Sequence, residues 1–259
     1  MWNKGKVLII VTGASRGLGQ AIAVQLSQAC IFSPTVHLIS RSLNDLELTE
    51  KLCKEVKIGV GIHLHELDLM KAEKEDFEKL FQTVSFEKFD SIVLVHNAGS
   101  LGNQGTKIAH FDDLQEMQNY YRLNVFSVML LNSVISKKVA PFRKIKKLII
   151  NISSLAALQP FETWGSYCSG KAARDSLFKV MAVEEPSWTI INYAPGPLNT
   201  KMIDDLLASR NTHSNIKNAF DDMKTKNQLL DPMESARRLV EILNKPFKSG
   251  DHIDYFDQL

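Results

Sequence analysis

The sequence contains few cysteines, and their spacing matches no metal site. Its 259 residues include only Cys30, Cys53 and Cys168. Three thiols cannot all pair with one another, and this usage suits a reducing compartment. We therefore expect a cytoplasmic protein without a metal site.

The chain also lacks a strong excess of charge and a long apolar run. Its formal net charge is +2, and 23% of its residues are charged. Such a balance produces no global field that would recruit nucleic acid or a membrane surface. The apolar run in "MWNKGKVLIIVTG" has the length of a strand and is too short to span a membrane. We expect neither nucleic acid nor a membrane as a partner.

What the chain does contain is an alternation of buried strands and amphipathic helices. The strand-like runs are short and rich in β-branched residues: "KVLIIVT", "TVHLIS", "SIVLVH", "KLIINIS" and "TIINYA", with the more alternating "GIHLHELD" nearer an edge. The predicted helices cover Gly17–Ala29, 43–54, 71–83, 112–138 and 165–185. This order predicts an α/β fold of Rossmann type, a doubly wound parallel sheet of about seven strands with helices on both faces.

The organisation predicts one domain over residues 1–259, because no repeat, linker or low-complexity tract divides it. One segment differs from the rest. Residues 199–228 are polar and follow a strand end, where α/β folds bind ligands. We interpret this segment as a mobile helical lid over a site.

A glycine-rich loop follows the first strand and opens the first helix. In "VTGASRGLG", glycine lets the backbone turn sharply and lets a phosphate approach it. The helix behind it offers free N–H groups and the positive end of its dipole. The loop predicts a dinucleotide site built from Gly13, Ser15, Arg16, Gly17, Leu18 and Gly19.

The residues after the second strand indicate which dinucleotide binds. NAD sites usually carry an acidic residue there, whereas this strand ends in "LISRSL", with Arg41 and Ser42. Arg16 adds a second guanidinium inside the glycine loop. Because guanidinium chelates phosphate in a bidentate manner, the pair favours NADPH/NADP+ over NAD. The alternative is that Arg41 is only a surface charge.

The segment "NISSLAALQPFETWGSYCSGK" contains the candidate catalytic residues. Tyr167 and Lys171 are four residues apart on one helix face, and Ser154 lies at the end of the fifth strand. Carbonyl reduction needs a proton donor, and a cation beside a tyrosine lowers its pKa from about 10. Ser154 can donate to the carbonyl oxygen as charge develops there. Asn124 belongs to the predicted helix before that strand.

With these motifs the chain resembles the short-chain dehydrogenase/reductases over nearly its full length. The resemblance implies that Asn97, Ala98 and Gly99 belong to the cofactor site and that Asp68 and Leu69 border the adenine. It further implies that Asn124 holds a water linking Lys171 to solvent, and that a homodimer forms through the helices at 112–138 and 165–185. His96 stands where the family usually has Asn, and we interpret it as a packed histidine rather than a proton shuttle.

Within this family the closer resemblance is to the sepiapterin reductases, through "NAGSLG", "NISSLAALQPF", "YCSGKAARD", "NYAPGPL" and "FKSGDHIDYFD". It implies NADPH-dependent reduction of pterin side-chain carbonyls, in sepiapterin and 6-pyruvoyl-tetrahydropterin, as the final step of tetrahydrobiopterin biosynthesis. Asp254 would bind the pterin, because a carboxylate accepts two N–H groups side by side. By the same resemblance, Ser154, Tyr167 and Gly196 would contact the substrate. Leu198, Thr200 and Met202 would border the nicotinamide end of the cofactor, and Phe161 and Trp164 could form pocket walls.

Two other functions stay open at this point. One is a broad-specificity dicarbonyl or quinone reductase in which Asp254 is only structural. The other is an NADPH-binding regulatory protein with vestigial catalysis, against which the complete set of Ser154, Tyr167, Lys171 and Asn124 argues. Asp251 and Asp257, the other acidic residues of the closing segment, are interpreted as solvated.

Overall fold

A computed structural model describes residues 2–258 and contains one seven-stranded parallel sheet in the order β3-β2-β1-β4-β5-β6-β7. The strands are β1 (Val7–Thr12), β2 (Thr35–Ser40), β3 (Gly61–Glu66), β4 (Ser91–His96), β5 (Lys146–Ile152), β6 (Trp188–Ala194) and β7 (His252–Asp254). Every residue of β1 and β4 is buried, whereas β3 alternates at the edge of the sheet. The predicted doubly wound parallel sheet is confirmed.

Helices cover both faces of the sheet. They are α1 (Gly17–Ala29), α2 (Leu43–Val56), α3 (Lys74–Leu80), α4 (Leu114–Tyr121), α5 (Ser127–Val139), α6 (Gly165–Glu184), α7 (Lys201–Ala208), α8 (Ser214–Thr225) and α9 (Pro232–Leu243). Apolar residues of α1, α2 and α9 form one core with the sheet, and those of α3, α5 and α6 form a second core on the opposite face. The carboxyl ends of all strands therefore open at one edge, between the two helical layers.

The long helix predicted over 112–138 is the largest correction to the sequence analysis. It begins at Leu114, because the Asp113 side chain accepts a hydrogen bond from the Glu116 N–H at 2.9 Å and caps it. A π-helical turn, Arg122–Phe126, then separates α4 from α5, which ends at Val139. A single π turn inside a helix is frequently found at functional sites.

Smaller differences concern the ends of elements. The helix predicted over 71–83 is limited to Lys74–Leu80, and the Glu73 N–H donates to the Asp76 carboxylate at 2.9 Å at its start. Helix α2 continues to Val56, and α6 ends at Glu184, before Pro186. The edge strand ends at Glu66, two residues earlier than predicted. Of the candidate site residues, these shifts move only Asp68, which follows the strand instead of ending it.

The polar segment 199–228 contains two helices, α7 and α8, joined by residues 209–213. Two of its apolar side chains are buried against the rest of the protein. Leu206 and Ile216 are buried against Leu101 and Trp164 in a third, smaller core cluster. The predicted helical character is thus present, and the segment rests on the sheet edge where the strands end.

Among residues 2–258, no helix has the length and apolar character that crossing a membrane requires.

Candidate active site

The glycine loop packs so closely against its neighbours that side chains would not fit at two positions. A Cβ on Gly19 would lie 2.2 Å from the Gly13 carbonyl oxygen, and one on Gly13 would lie 2.9 Å from the Ala98 Cα. Gly13 has φ +64° and Gly17 has φ +56°, which favours glycine at both positions. The loop therefore forms a tight backbone cradle at the amino end of α1, as a bound pyrophosphate requires.

The turn at Asn97 and Ala98 is fixed to this loop by hydrogen bonds. The Asn97 amide donates to the carbonyls of Thr12 at 3.0 Å and Gly13 at 3.1 Å. The Thr12 hydroxyl accepts from the N–H groups of Asn97 and Ala98, each at 3.1 Å. Sequence analysis assigned no role to Thr12. Its position at the end of β1, directly before Gly13, could have indicated that it belongs to the site.

The end of β2 lies beside the glycine loop, because the N–H groups of Gly13 and Ala14 both donate to the Ile39 carbonyl. Arg16 and Arg41 are exposed, and neither forms an ion pair with another residue of the described chain. The Ser42 hydroxyl accepts from the Asp45 N–H at 3.3 Å and caps α2. The two guanidiniums are thus available to an anion near the end of β2.

Asp68 and Leu69 follow the end of β3 next to this site. The Leu67 N–H donates to the Ser40 carbonyl at 2.7 Å, which brings the two strand ends together. The Asp68 carboxylate accepts from the Met70 N–H at 3.0 Å, and Leu69 is buried. These residues therefore lie beside the end of β2, which Arg41 follows. A backbone cradle with two exposed guanidiniums beside it fits a dinucleotide with a 2′-phosphate.

Ser154, Tyr167 and Lys171 converge where β5 ends and α6 begins. A hydrogen bond joins the side chains of Ser154 and Tyr167. The Lys171 ammonium lies 5.6 Å from the centre of the Tyr167 ring and donates to the Ile152 carbonyl at 2.7 Å. The three side chains form a compact polar group that includes one acid, one hydroxyl donor and one amine.

The pKa values of this group differ from the sequence expectation. Burial raises the pKa of Tyr167, while the hydrogen bond from Ser154 and the charge of Arg174 oppose that shift. Burial and the Arg174 charge lower the pKa of Lys171 well below its usual range. The net shift of the Tyr167 pKa is therefore upward, opposite to the predicted lowering, because burial disfavours the charged form of the phenol.

Asn124 lies in the π turn and is buried. Its amide donates to the Tyr120 carbonyl at 2.9 Å, and its carbonyl oxygen accepts from the Ser100 N–H at 2.9 Å. A Cβ on Gly99 would lie 2.8 Å from that oxygen. The π turn thus brings Asn124 against the segment that follows Ala98.

His96 is packed in the core, as the sequence analysis interpreted it. Its ring is buried and lies 5.3 Å from the ring of Phe178. Burial lowers the pKa of His96 to about 3, with the nearby Arg174 charge adding to the shift. A neutral, enclosed imidazole fits a packing role rather than that of a proton shuttle.

The segment after β6 closes the cofactor side of the site. Gly196 has φ +74°, and a Cβ there would lie 2.7 Å from a Leu230 methyl carbon. Leu198 pairs with Leu230 in an isolated bridge. Thr200 lies against the glycine loop, since a Cβ on Gly17 would stand 3.4 Å from its methyl group. Met202, two residues later on α7, is exposed.

Asp254 ends β7, which pairs with β6 so that Asp254 lies beside Ala194. Ile253 packs in the core formed with α1 and α9, so its neighbours His252 and Asp254 face the opposite side of the sheet. There the His252 Nδ1 lies 2.6 Å from an Asp175 carboxylate oxygen of α6. Asp254 is half-buried, and its carboxylate accepts a hydrogen bond from the Phe256 N–H at 3.1 Å.

All three acidic residues of the closing segment accept a hydrogen bond from a nearby backbone N–H. The Asp251 carboxylate accepts from the Lys248 N–H at 3.2 Å. Asp257 is exposed, and its carboxylate accepts from the Asp254 N–H at 2.8 Å. Asp251 and Asp257 therefore stabilise local turns, and Asp257 also holds the backbone of Asp254 in place.

Aromatic rings form a wall between the lid segment and Tyr167. The Trp164 ring is stacked on Phe220 of α8, with centroids 6.0 Å apart, and meets the Tyr167 ring edge-on at 5.3 Å. Phe161 lies 5.5 Å from Trp164. Sequence analysis named Phe161 and Trp164 as possible pocket walls but did not find Phe220, which lies far away along the chain.

This geometry agrees with what the chain is similar to. The profile of a family described as short chain dehydrogenase matches residues 7–211. The chain belongs to the short chain dehydrogenase family. A sepiapterin reductase of Rattus norvegicus is 36% identical over 261 residues, covering 98% of this chain and 97% of that protein.

Two further similarities extend the comparison. A benzil reductase ((S)-benzoin forming) of Bacillus subtilis is 30% identical over 249 residues, covering 94% of this chain and 96% of that protein. Among solved structures, the KRED1-Pglu enzyme superposes with a TM-score of 0.79 at 28% identity, covering 95% of this chain and 99% of that one. The chain is an NADP-dependent oxidoreductase of this family.

Proposed function

We propose that this protein reduces the side-chain carbonyls of pterins, in sepiapterin and 6-pyruvoyl-tetrahydropterin, with NADPH. This reaction would be the final step of tetrahydrobiopterin biosynthesis. The observation that carries the proposal is the position of Asp254, a half-buried carboxylate at the end of β7, beside Ala194 of β6. The similarity to the sepiapterin reductase of Rattus norvegicus supports it.

Distances along the two elements support a position of Asp254 near Tyr167 and Lys171. His252 contacts Asp175 directly. Lys171 precedes Asp175 by four residues, which corresponds to about 6 Å along a helix. Asp254 follows His252 by two residues, which corresponds to about 6.6 Å along a strand. Because crossover helices run opposite to the strands, both steps lead toward the carboxyl edge of the sheet.

A carboxylate at that level suits a pterin. The ring presents its 2-amino group and N3–H side by side, and one carboxylate can accept both hydrogen bonds. Bound in this way, the ring would direct its side-chain carbonyl toward Tyr167 and Ser154. The aromatic wall of Trp164 and Phe220 offers a flat apolar surface next to that position.

Bound NADPH supplies the hydride that reduces the carbonyl carbon. The Tyr167 hydroxyl donates its proton to the carbonyl oxygen, and Ser154 stabilises the negative charge that develops there. Lys171 holds the polar group together at the Ile152 carbonyl and supports the tyrosinate as it forms. Asn124, enclosed in the π turn, holds the path by which the proton is replaced from solvent.

The lid assignment is part of the proposal. Helices α7 and α8 of residues 199–228 cover the aromatic wall, with Leu206 and Ile216 buried below them. Closure of such a segment would exclude water from the reacting carbonyl and complete the pocket.

The second candidate function is a broad-specificity dicarbonyl reductase. The benzil reductase of Bacillus subtilis, at 30% identity, is the observation that favours it. In that case the Ser154, Tyr167 and Lys171 group performs the same chemistry, and Asp254 only supports the fold.

A substrate panel with NADPH separates the two functions. We expect kcat/KM for sepiapterin to exceed that for benzil and 2,3-butanedione, and the Asp254→Asn variant to lose about 10- to 100-fold on sepiapterin alone, because one hydrogen bond to a charged group is lost. Asp251→Asn is the matched control, with unchanged kinetics. An equal loss on sepiapterin and the diketones would assign Asp254 a structural role and refute the pterin proposal.

We also propose a cytoplasmic homodimer. Apolar side chains are exposed on the π turn, α5 and α6, among them Phe126, Met129, Val180 and Val183. Val183 is 83% exposed, which is unusual for a valine unless a partner covers it. Light scattering of the purified protein would give the mass of two chains, and the Val183→Lys variant would give the mass of one.

A further inference from the structure

Helix α6 carries a buried cation that the proposed chemistry does not use. Arg174 is fully buried, and it follows Tyr167 by seven residues and Lys171 by three. These intervals place the three side chains on one side of the helix. Burying a guanidinium is costly unless its donors are paired, so a function for it is expected.

The donors of Arg174 are paired with the strand ends that build the site. Its Nε donates to the Asn151 side-chain oxygen at 2.8 Å. Its two terminal nitrogens donate to the carbonyl of Ala98 at 3.3 Å and to that of His96. One planar group thus joins α6 to the end of β5 and to the turn that we assign to the cofactor site.

Within residues 2–258, Arg174 does not contact an acidic side chain directly, and the Asn151 amide links it to the Asp175 carboxylate. The Asn151 amide donates to the Asp175 carboxylate at 3.2 Å while its oxygen accepts from Arg174. Asp175 in turn contacts His252 of β7. The buried chain from Arg174 to His252 therefore connects the cofactor turn, the catalytic helix and the strand that ends in Asp254.

We propose that Arg174 is a positioning residue for the reduction: its guanidinium holds the turn of residues 96–98 against α6 and so sets Tyr167 and Lys171 relative to the cofactor site. This inference rests on the proposed roles of Tyr167 and Lys171. A lysine could not replace it, because an ammonium lacks the planar fork that reaches Asn151, Ala98 and His96 at once.

The electrostatics agree with this geometry. The titratable groups around Arg174 are Tyr120 of α4, His96 of β4, and Tyr167, Lys171 and Asp175 of α6. Burial lowers the pKa of Arg174 to about 10, so it stays charged at neutral pH. That charge lowers the pKa of both Tyr167 and Lys171. Its loss would raise both values.

The test compares Arg174→Met, which removes the charge, with Arg174→Lys, which keeps the charge and loses the fork. The readouts are the Kd for NADPH by fluorescence titration and the pH profile of kcat/KM with a carbonyl that the wild type reduces. We expect the Kd to rise about tenfold or more in both variants, because hydrogen bonds of a charged group are lost. We expect the alkaline limb of the profile to move to higher pH in Arg174→Met only.

A purely structural role would not produce this pattern. Phe77→Leu disturbs the core below α3, far from the site. It serves as the control for an effect that arises only from a lowered melting temperature. If Arg174→Lys binds NADPH as tightly as the wild type, or no more weakly than Phe77→Leu, the proposal is overturned. If Arg174→Met does not fold, the Kd of Arg174→Lys for NADPH is sufficient to test the proposal. The activity assay needs only a carbonyl that the wild type reduces. The Arg174 result can therefore be interpreted even if pterins are not the substrates.

Discussion

The ring of Trp164 is stacked on the ring of Phe220, with an angle of 18° between their planes, and the same Trp164 ring meets Tyr167 edge-on. The Trp164 indole therefore joins α8 to the helix that bears Tyr167.

This contact predicts how Phe220→Ala behaves. A stacked aromatic pair contributes about 0.5–1.5 kcal/mol, so its loss would loosen α8 and raise the KM for the carbonyl substrate about 2- to 10-fold. Limited proteolysis within residues 209–213 would become faster. Phe32→Ala, at an exposed position, is the control and would change neither measurement. Unchanged KM and cleavage in Phe220→Ala would show that the stack does not hold the lid.

The second prediction concerns the proton donor. Tyr167→Phe removes the hydroxyl and keeps the ring against Trp164, so we expect kcat to fall about 100- to 10,000-fold, the usual contribution of general acid catalysis. NADPH binding, measured by fluorescence, would change by less than about twofold. Tyr121→Phe, whose hydroxyl lies 2.7 Å from the Ser169 hydroxyl, is the control. A Tyr167→Phe enzyme with normal turnover would remove the catalytic assignment.

Much of this site could be predicted from the sequence, because it follows local patterns. The glycine loop, the strand ends and the Tyr167–Lys171 spacing all depend on residues close together along the chain. What could not be predicted depends on tertiary contacts. The π turn at Asn124 forms where Gly99 permits a close approach, and the role of Arg174 depends on carbonyls more than seventy residues away.

The tyrosine pKa is the clearest case of a pattern that misled. The four-residue spacing correctly placed Lys171 near Tyr167 but carried no information about burial. In the structure, burial raises the pKa of Tyr167 and lowers that of Lys171, because it disfavours the charged form of each group.

The third prediction concerns cofactor choice. Arg41 is exposed beside the end of β2, without an acidic partner in the described chain, and it can chelate a 2′-phosphate. We expect Arg41→Ala to lower kcat/KM with NADPH about 10- to 100-fold and to leave the value with NADH nearly unchanged. Arg143→Ala, on the surface beyond α5, is the matched control. A wild-type enzyme with higher kcat/KM for NADH than for NADPH would contradict the assignment directly.

The fourth prediction concerns acid stability and rests on three stacked histidines at the sheet edge. The His37 ring lies 4.5 Å from that of His63, and its Nδ1 lies 2.8 Å from the His65 Nε2. Burial, with the neighbouring imidazoles adding to it, lowers the pKa of His37 to about 3 and that of His65 to about 4. Both values lie below the 6.5 expected in the unfolded chain, so below that pH the unfolded state binds more protons.

The free energy of unfolding should therefore fall as the pH drops from 6.5 toward 4, by at most about 1.4 kcal/mol per pH unit for His37. Urea unfolding at pH 7.5 and 5.0 measures this loss. In His37→Leu, which places an apolar side chain beside Phe81, the difference between the two pH values should be smaller than in the wild type. His110→Gln, at an exposed position, should leave the difference unchanged. If His37→Leu loses as much stability on acidification as the wild type, protonation of this cluster does not limit the acid stability of the fold.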